Sequence, residues 1–158
     1  MMIYKEEIRD LFEVPDDYVL VHCISSDFAL GAGIAKKFAQ MGVKEKLMKN
    51  YPKNWEGHGY MIPVGLKDKM VANLITKEKY WMKPTYDTLR ESLENLKNWV
   101  IAENYLPGGD IRPIGIQWKL AMPLIGCGLD KLKWDNVRQI IKEVFENTDI
   151  EILVCLYK

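Results

Sequence analysis

Histidine is nearly absent from this sequence. His22 and His58 are the only two, too few for a histidine-rich metal site. Cysteine is scarce as well. Cys23, Cys127 and Cys155 are odd in number, far apart and without CxxC spacing, which speaks against both a disulfide framework and a zinc centre. No metal is therefore expected, and a reducing, intracellular compartment fits best: the cytoplasm, or the nucleus of a eukaryotic cell. The opening MMIYKEEIRDLF carries charges where a signal peptide needs an apolar core. No apolar run approaches the ~18 residues that would span a bilayer, so no membrane partner is expected. Net charge is missing too, with 22 basic residues against 22 acidic ones. Such a chain has no overall field to gather nucleic acid or anionic lipid. A small phosphorylated ligand stays compatible with neutrality, because a local nest of backbone N–H groups can hold it.

What is present is an ordinary globular balance: 158 residues, 48% hydrophobic and 28% charged. That length suits one domain over 1–158, expected to act as a monomer, and there is no repeat or linker. Met1 to Tyr4 reads as a short first strand, and Glu6 to Glu13 as strand edge or turn. Pro15-Asp16-Asp17 signals a turn. Tyr18 to Ile24, YVLVHCI, has the look of a buried strand. A helix is expected from the Gly31–Gly33 region towards Gln40, stopped by Gly42, with a second over Val43 to Asn50. Gly59 to Val64 and Lys69 to Thr76 are strand candidates around a turn at Gly65 to Asp68.

Pro84, with Thr85 as cap, opens a helix whose Leu89, Leu93, Leu96 and Val100 recur at helical spacing. Asn104 to Ile116, rich in Pro and Gly, reads as a long loop. Trp118 to Ile125 reads as a strand. Asp135 is the expected cap of a last helix with Val137, Ile140, Ile141, Val144 and Phe145 inward, before a strand from Ile150 to Tyr157. Helices alternating with β-branched runs imply a mixed or parallel sheet covered on both faces. Ligands of such folds sit at the carboxyl ends of strands, near helix N-termini.

Two glycine segments lie at such strand ends. Gly31-Ala32-Gly33-Ile34-Ala35 follows one strand and opens a helix. In Pro123-Leu124-Ile125-Gly126-Cys127-Gly128-Leu129-Asp130 the glycines follow another. Glycines let a backbone approach a phosphate closely, and unpaired N–H groups of a helix start supply donors. The first segment is no full GxGxxG fingerprint, and the chain has no GK[ST] motif; a tight turn alone would also use small residues. Together, the two segments have the form of a clasp around a diphosphate. Cys127 has no histidine near it in sequence, so a buried structural thiol fits better than a nucleophile. Lys77 ends an apolar strand. Lys79 and Lys83 are expected to lie close, where like-charge repulsion would favour a free, nucleophilic amine. Asp130 suits either a general acid/base or a turn. Asp10 suits either an acceptor for an exocyclic amine or a solvated surface. The five tryptophans are scattered and fit packing better than nucleic-acid stacking.

In order along the chain stand RDLF (Arg9 to Phe12), HCIS (His22 to Ser25), GAGIA (Gly31 to Ala35), LITK (Leu74 to Lys77) and KPTY (Lys83 to Tyr86). They are followed by MPLIGCGLDKLKW (Met122 to Trp134) and VFENTDI (Val144 to Ile150). This succession resembles the macro domain family, in particular its lineage of small terminal ADP-ribose protein glycohydrolases. The resemblance implies a three-layer α/β/α fold with a mixed central sheet and an ADP-ribose ligand. By that likeness Asp10, with Leu11, meets the adenine amine, and His22, Cys23, Ile24 and Ser25 line the nucleoside end. Gly31, Ala32, Gly33, Ile34 and Ala35 form one wall around diphosphate and distal ribose. Ile125, Gly126, Cys127, Gly128 and Leu129 form the other, and Tyr157 lies near adenine. Lys77 and Asp130 match the family's catalytic pair.

HCIS stands where many other macro domains carry an asparagine-containing strand end, so their distal-ribose chemistry does not transfer. The connection from Pro107 to Trp118 looks longer than in the lineage and bears on access to the cleft. The implied activity is hydrolysis of ADP-ribose conjugates without a cofactor, on acylated ADP-ribose or ADP-ribosylated protein or nucleic acid. The alternatives are an ADP-ribose 1''-phosphate phosphatase and a reader that binds without turnover.

Overall fold

The computed structural model describes residues 2–51, 57–102 and 118–156. In chain order these form β1 (Ile3–Ile8), a 3-10 turn (Leu11–Glu13), β2 (Tyr18–Ser25), α1 (Gly33–Gln40), α2 (Val43–Asn50), β3 (Tyr60–Gly65) and β4 (Met70–Lys77). After them come α3 (Tyr86–Ala102), β5 (Lys119–Met122), α4 (Trp134–Phe145) and β6 (Glu151–Leu156). The strands make one sheet in the order β1-β6-β5-β2-β4-β3. All neighbours are parallel except β3, which runs antiparallel to β4. The sheet is mixed, as expected.

Alternation along β2 explains the layers, since successive strand side chains point to opposite faces. Val19 and Val21 join Leu74, Leu89, Leu93, Leu96 and the inner stripe of α4 in one core cluster. Leu20 and Ile24 join Phe38, Val43, Leu47, Val71 and Ile75 in the other. So α3 and α4 cover one face and α1 and α2 the other, giving the three-layer α/β/α arrangement that the resemblance implies. The expected inner face of α4 is buried throughout: Val137, Ile140, Ile141, Val144 and Phe145. Removing a fully buried leucine such as Leu93 would cost roughly 2–5 kcal/mol.

Several boundaries differ from the expectation. β1 runs over Ile3–Ile8, past the expected end at Tyr4, and takes in Glu6, Glu7 and Ile8, which read as edge or turn. It is an edge strand paired only with β6, so its sequence tolerates charge. The strand expected over Trp118 to Ile125 is confined to Lys119–Met122, because Pro123 has no N–H to continue the ladder. Asp135 does not cap α4. Lys133 occupies that position, and Asp135 sits in the first turn with its carboxylate 2.9 Å from the Arg138 guanidinium. The first helix begins at Gly33, within the expected region, and runs to Gln40. Gly42 ends it, with φ of +104°, a conformation glycine adopts without strain. Thr85 does cap α3, its Oγ1 accepting from the Thr88 N–H at 3.1 Å. The long loop over Asn104 to Ile116 and Tyr157 lie outside the described residues.

β2 is the topological switch of the sheet. From it the chain passes through α1, α2 and β3 to one side, and β5 pairs on the other. A crevice outside the carboxyl end of such a strand is where α/β sheets hold ligands.

Candidate active site

The crevice is there: a cavity of about 890 Å³ beyond the ends of β2, β4 and β5. That volume falls within the range of roughly 300–1,000 Å³ typical of small-molecule sites. Its floor is His22, Cys23, Ile24 and Ser25; one wall is residues 31–35 and the other residues 125–129. Lys77 and Asp130 line it as well. Asp10 and Leu11 do not. Leu11 is buried in core, and Asp10 caps the 3-10 turn, its Oδ1 accepting from the Phe12 N–H at 2.9 Å. Asp10 still stands at the same row of strand ends, because the Arg9 N–H donates to Leu156 O at the end of β6.

The first wall is built on α1. Ala32, at its N-cap, makes no side-chain hydrogen bond to the helix, and the first turn carries no acidic residue. The donors of the opening turn and the positive end of the helix dipole therefore suit an anion in the cavity. Gly33 adopts φ of +59°, and a Cβ on it would lie 3.9 Å from Leu129 Cδ1. The two walls thus approach each other at Gly33 and Leu129. The second wall is braced from beneath. Leu132 N–H donates to Gly126 O at 2.8 Å, and Tyr86 Oη accepts from Lys133 N–H at 3.1 Å. Lys83 Nζ donates to Leu129 O at 2.8 Å.

Where the walls meet β4, Lys77 Nζ donates to Asp130 Oδ1 at 2.6 Å. Their side chains are only 13% and 16% exposed, so solvent screens the pair weakly. This replaces the expectation that Lys79 and Lys83 act on Lys77. Lys83 is engaged with Leu129, and the charge in contact with Lys77 is an anion.

The remaining titratable groups of the floor are quiet. His22 is fully buried, its Nε2 2.5 Å from Asn73 Oδ1, while Asn73 donates from Nδ2 to Ile62 O. Burial lowers the imidazole to about 4, more than the Asn73 hydrogen bond raises it, so His22 is neutral near pH 7. All three cysteines line the cavity. Burial pushes the Cys127 and Cys155 thiols up to about 11. Burial raises Cys23 further, with the Asp130 charge adding to it. A thiol attacks as thiolate, so near pH 7 these side chains stay in the unreactive thiol form. Cys127, expected as a buried structural thiol, is half-buried.

Sequence reasoning passed over Ala29, Leu30, Tyr80 and Cys155 as site residues, which also line the cavity, as do Pro123 and Leu124 at the head of the second glycine segment. Phe28 and Leu30 have φ of +55° and +42°, a strain no sequence pattern announced. Among the described residues no group of three or more histidine, cysteine or acidic side chains is placed to hold a metal, and no helix is long and apolar enough to cross a membrane.

No family model matches the chain. Curated relatives do, among them two named ADP-ribose glycohydrolase OARD1. The bovine protein is 42% identical and the human protein 40% identical, each over 147 residues that cover 92% of this chain and 86% of the relative. Among solved structures, the macrodomain of Thermus aquaticus DarG superposes with a TM-score of 0.77 at 18% identity, covering 98% of this chain and 99% of that one. The macrodomain of Mycobacterium tuberculosis DarG gives 0.73 at 22% identity, covering 99% and 97%. Those structures show the shared fold. The extent and identity of the OARD1 matches show the rest: the chain belongs to the macro domain family, in the lineage of ADP-ribose glycohydrolase OARD1.

Proposed function

We propose that this protein hydrolyses ADP-ribose conjugates, with Lys77 as nucleophile and Asp130 as general acid and base. The observation that carries the reading is the 2.6 Å hydrogen bond between Lys77 Nζ and Asp130 Oδ1 inside the cavity. As an ion pair the two groups are in the wrong protonation states for attack. Moving one proton along that hydrogen bond corrects both at once, giving a free amine and a carboxylic acid. The names of the OARD1 relatives support the activity.

The amine then attacks the anomeric carbon of the distal ribose. The C–O bond to the leaving group breaks, and its oxygen takes the proton from Asp130. The product is a protonated lysyl-sugar adduct, which exchanges with an open-chain imine. Asp130, now a carboxylate, takes a proton from water as hydroxide adds to the same carbon. The C–N bond breaks, its electron pair returns to Lys77, and ADP-ribose departs. The net change is one water consumed per conjugate cleaved. Only an amine, a carboxyl group and water take part, so the reading requires neither metal nor cofactor.

The ligand contacts follow the same reading. The walls at 31–35 and 125–129 hold the diphosphate and distal ribose, residues 22–25 the nucleoside, and Asp10 the adenine. The leaving group is an acyl group or a macromolecule, protein or nucleic acid, and the protein works as a monomer inside the cell. A binding-only reader would have no need of the half-buried Lys77–Asp130 pair.

Product analysis tests the reading. The protein is incubated with O-acetyl-ADP-ribose, a glutamate-linked ADP-ribosyl protein and ADP-ribose 1''-phosphate. Free ADP-ribose from the first two supports it. Release of phosphate from the third alone makes the protein a phosphatase, and tight binding without any product makes it a reader.

A further inference from the structure

Asp27 stands just outside the cavity lining, yet its carboxylate joins the segments on either side of it. Oδ1 accepts from Ser25 Oγ at 2.5 Å and from Ala29 N–H at 3.1 Å, at the entry to the first glycine wall. Oδ2 accepts from Tyr80 N–H at 3.0 Å, in the turn that follows Lys77. Burial opposes ionisation of Asp27. The Ser25 hydroxyl, the Tyr80 and Ala29 amides and Lys79 outweigh it, holding the carboxyl below its ordinary range.

The location matters because the ladder is irregular there. β2 and β4 pair Ile24 with Ile75 and then Ser25 with Lys77, a register shift that leaves Thr76 unmatched. A bulge of this kind re-aims the side chain that follows it, and here that side chain is Lys77. Beyond the bulge, Ser26 N–H donates to Lys77 O at 2.9 Å, Asp27 N–H to Glu78 O at 3.1 Å and Ser26 Oγ to Glu78 O at 2.9 Å. The first wall has anchors of its own: Phe28 and Leu30 are buried, and Lys44 Nζ donates to Ala29 O at 3.0 Å.

Taking Lys77 as the nucleophile, we propose that Asp27 is a positioning residue, fixing the bulged end of β4 so that Lys77 meets the distal ribose in register with Asp130. The carboxylate acts through geometry. Its two oxygens bridge the chain before the first wall to the chain after Lys77, and losing the bridge frees the lysine's strand end more than it frees the wall.

The test uses Asp27→Asn, Asp27→Glu and Asp27→Ala, with Lys77→Ala alongside, all in the full chain. Turnover of O-acetyl-ADP-ribose and calorimetric affinity for ADP-ribose are measured for each. A misplacement near 1 Å costs about 10²-fold in rate, so Asp27→Ala is expected to lose turnover on that scale while its affinity for ADP-ribose falls by much less. Asp27→Asn, which keeps one acceptor oxygen in place, is expected to retain more turnover than Asp27→Glu, which keeps the charge but moves it. If Asp27→Ala fails to fold, the Asn and Glu variants decide by that order. Wild-type turnover in the folded Asp27 variants, equal loss of turnover and affinity, or Glu outperforming Asn overturns the proposal. If Lys77→Ala keeps wild-type turnover, the nucleophile assignment itself fails and the positioning role falls with it; a dead Lys77→Ala beside fully active Asp27 variants rejects Asp27 alone.

Discussion

Leu132 lies directly against Gly126: a Cβ added to the glycine would stand 2.9 Å from Leu132 Cδ1. Gly126 also has φ of +73°, so alanine meets two separate objections there, a contact and a left-handed backbone. The backbone alone costs roughly 1–2 kcal/mol. Gly126→Ala is expected to weaken ADP-ribose binding about tenfold, equivalent to ~1.4 kcal/mol. Shortening Leu132 to alanine in the same chain removes the contact but not the backbone cost, so it restores affinity only in part. Calorimetry checks this. Unchanged affinity in Gly126→Ala would mean that the second wall does not shape the ligand site.

Asp10→Ala is expected to lose two things. Adenine loses its charged acceptor, worth roughly 1.5–3 kcal/mol, or about tenfold to a hundredfold in affinity. The 3-10 turn loses the cap on Phe12 N–H, worth about 1 kcal/mol of stability. IDP-ribose, which lacks the exocyclic amine, separates them. Its affinity should barely change, while the melting temperature falls equally whichever ligand is studied. Equal loss of affinity for both ligands would leave Asp10 as a structural cap only.

The strongly patterned parts of the fold were legible in the sequence. Tyr18 to Ile24, Val43 to Asn50 and the stripe Leu89, Leu93, Leu96, Val100 become β2, α2 and the buried face of α3. β1 was obscured because an edge strand carries charge, and Lys5-Glu6-Glu7 hides its period. Asp135 resembled a cap because acidic residues favour the first turn as well as the position before it. In the site, the two glycine segments were visible as residues of one type at two strand ends. The direct pairing of Lys77 with Asp130 was not, since the two are 53 positions apart and only the parallel sheet brings them together. Asp27 carried no signal, for its role depends on a bulge that no local pattern encodes.

Buried His22 makes stability depend on pH. Its ordinary value of 6.5 falls to about 4 in the folded chain, so between those values the unfolded chain binds the extra proton. The contribution is fully present above pH 6.5 and is lost as pH falls towards 4, at about 1.36 kcal/mol per unit, roughly 3 kcal/mol in all. Glu6, held down to about 2 chiefly by its Arg138 hydrogen bonds, loses its contribution at lower pH, below 4.5. Melting temperature followed from about pH 7 to pH 5 should fall in the wild type and fall less in His22→Gln. Parallel curves would show that His22 does not set this slope.

The central claim is that Lys77 forms a covalent bond to the distal ribose while Asp130 handles the proton. Intact-mass spectrometry after borohydride reduction during turnover tests it most directly, because reduction fixes the open-chain imine to the protein. The wild type should carry an ADP-ribosyl mass that peptide mapping places on Lys77, and Lys77→Ala should carry none and lose turnover. Asp130→Ala should keep the amine and bind ADP-ribose, yet turn over about 10²–10⁴-fold more slowly, the usual worth of a positioned proton donor. A Lys77→Ala protein that cleaves ADP-ribose conjugates at the wild-type rate would contradict the account.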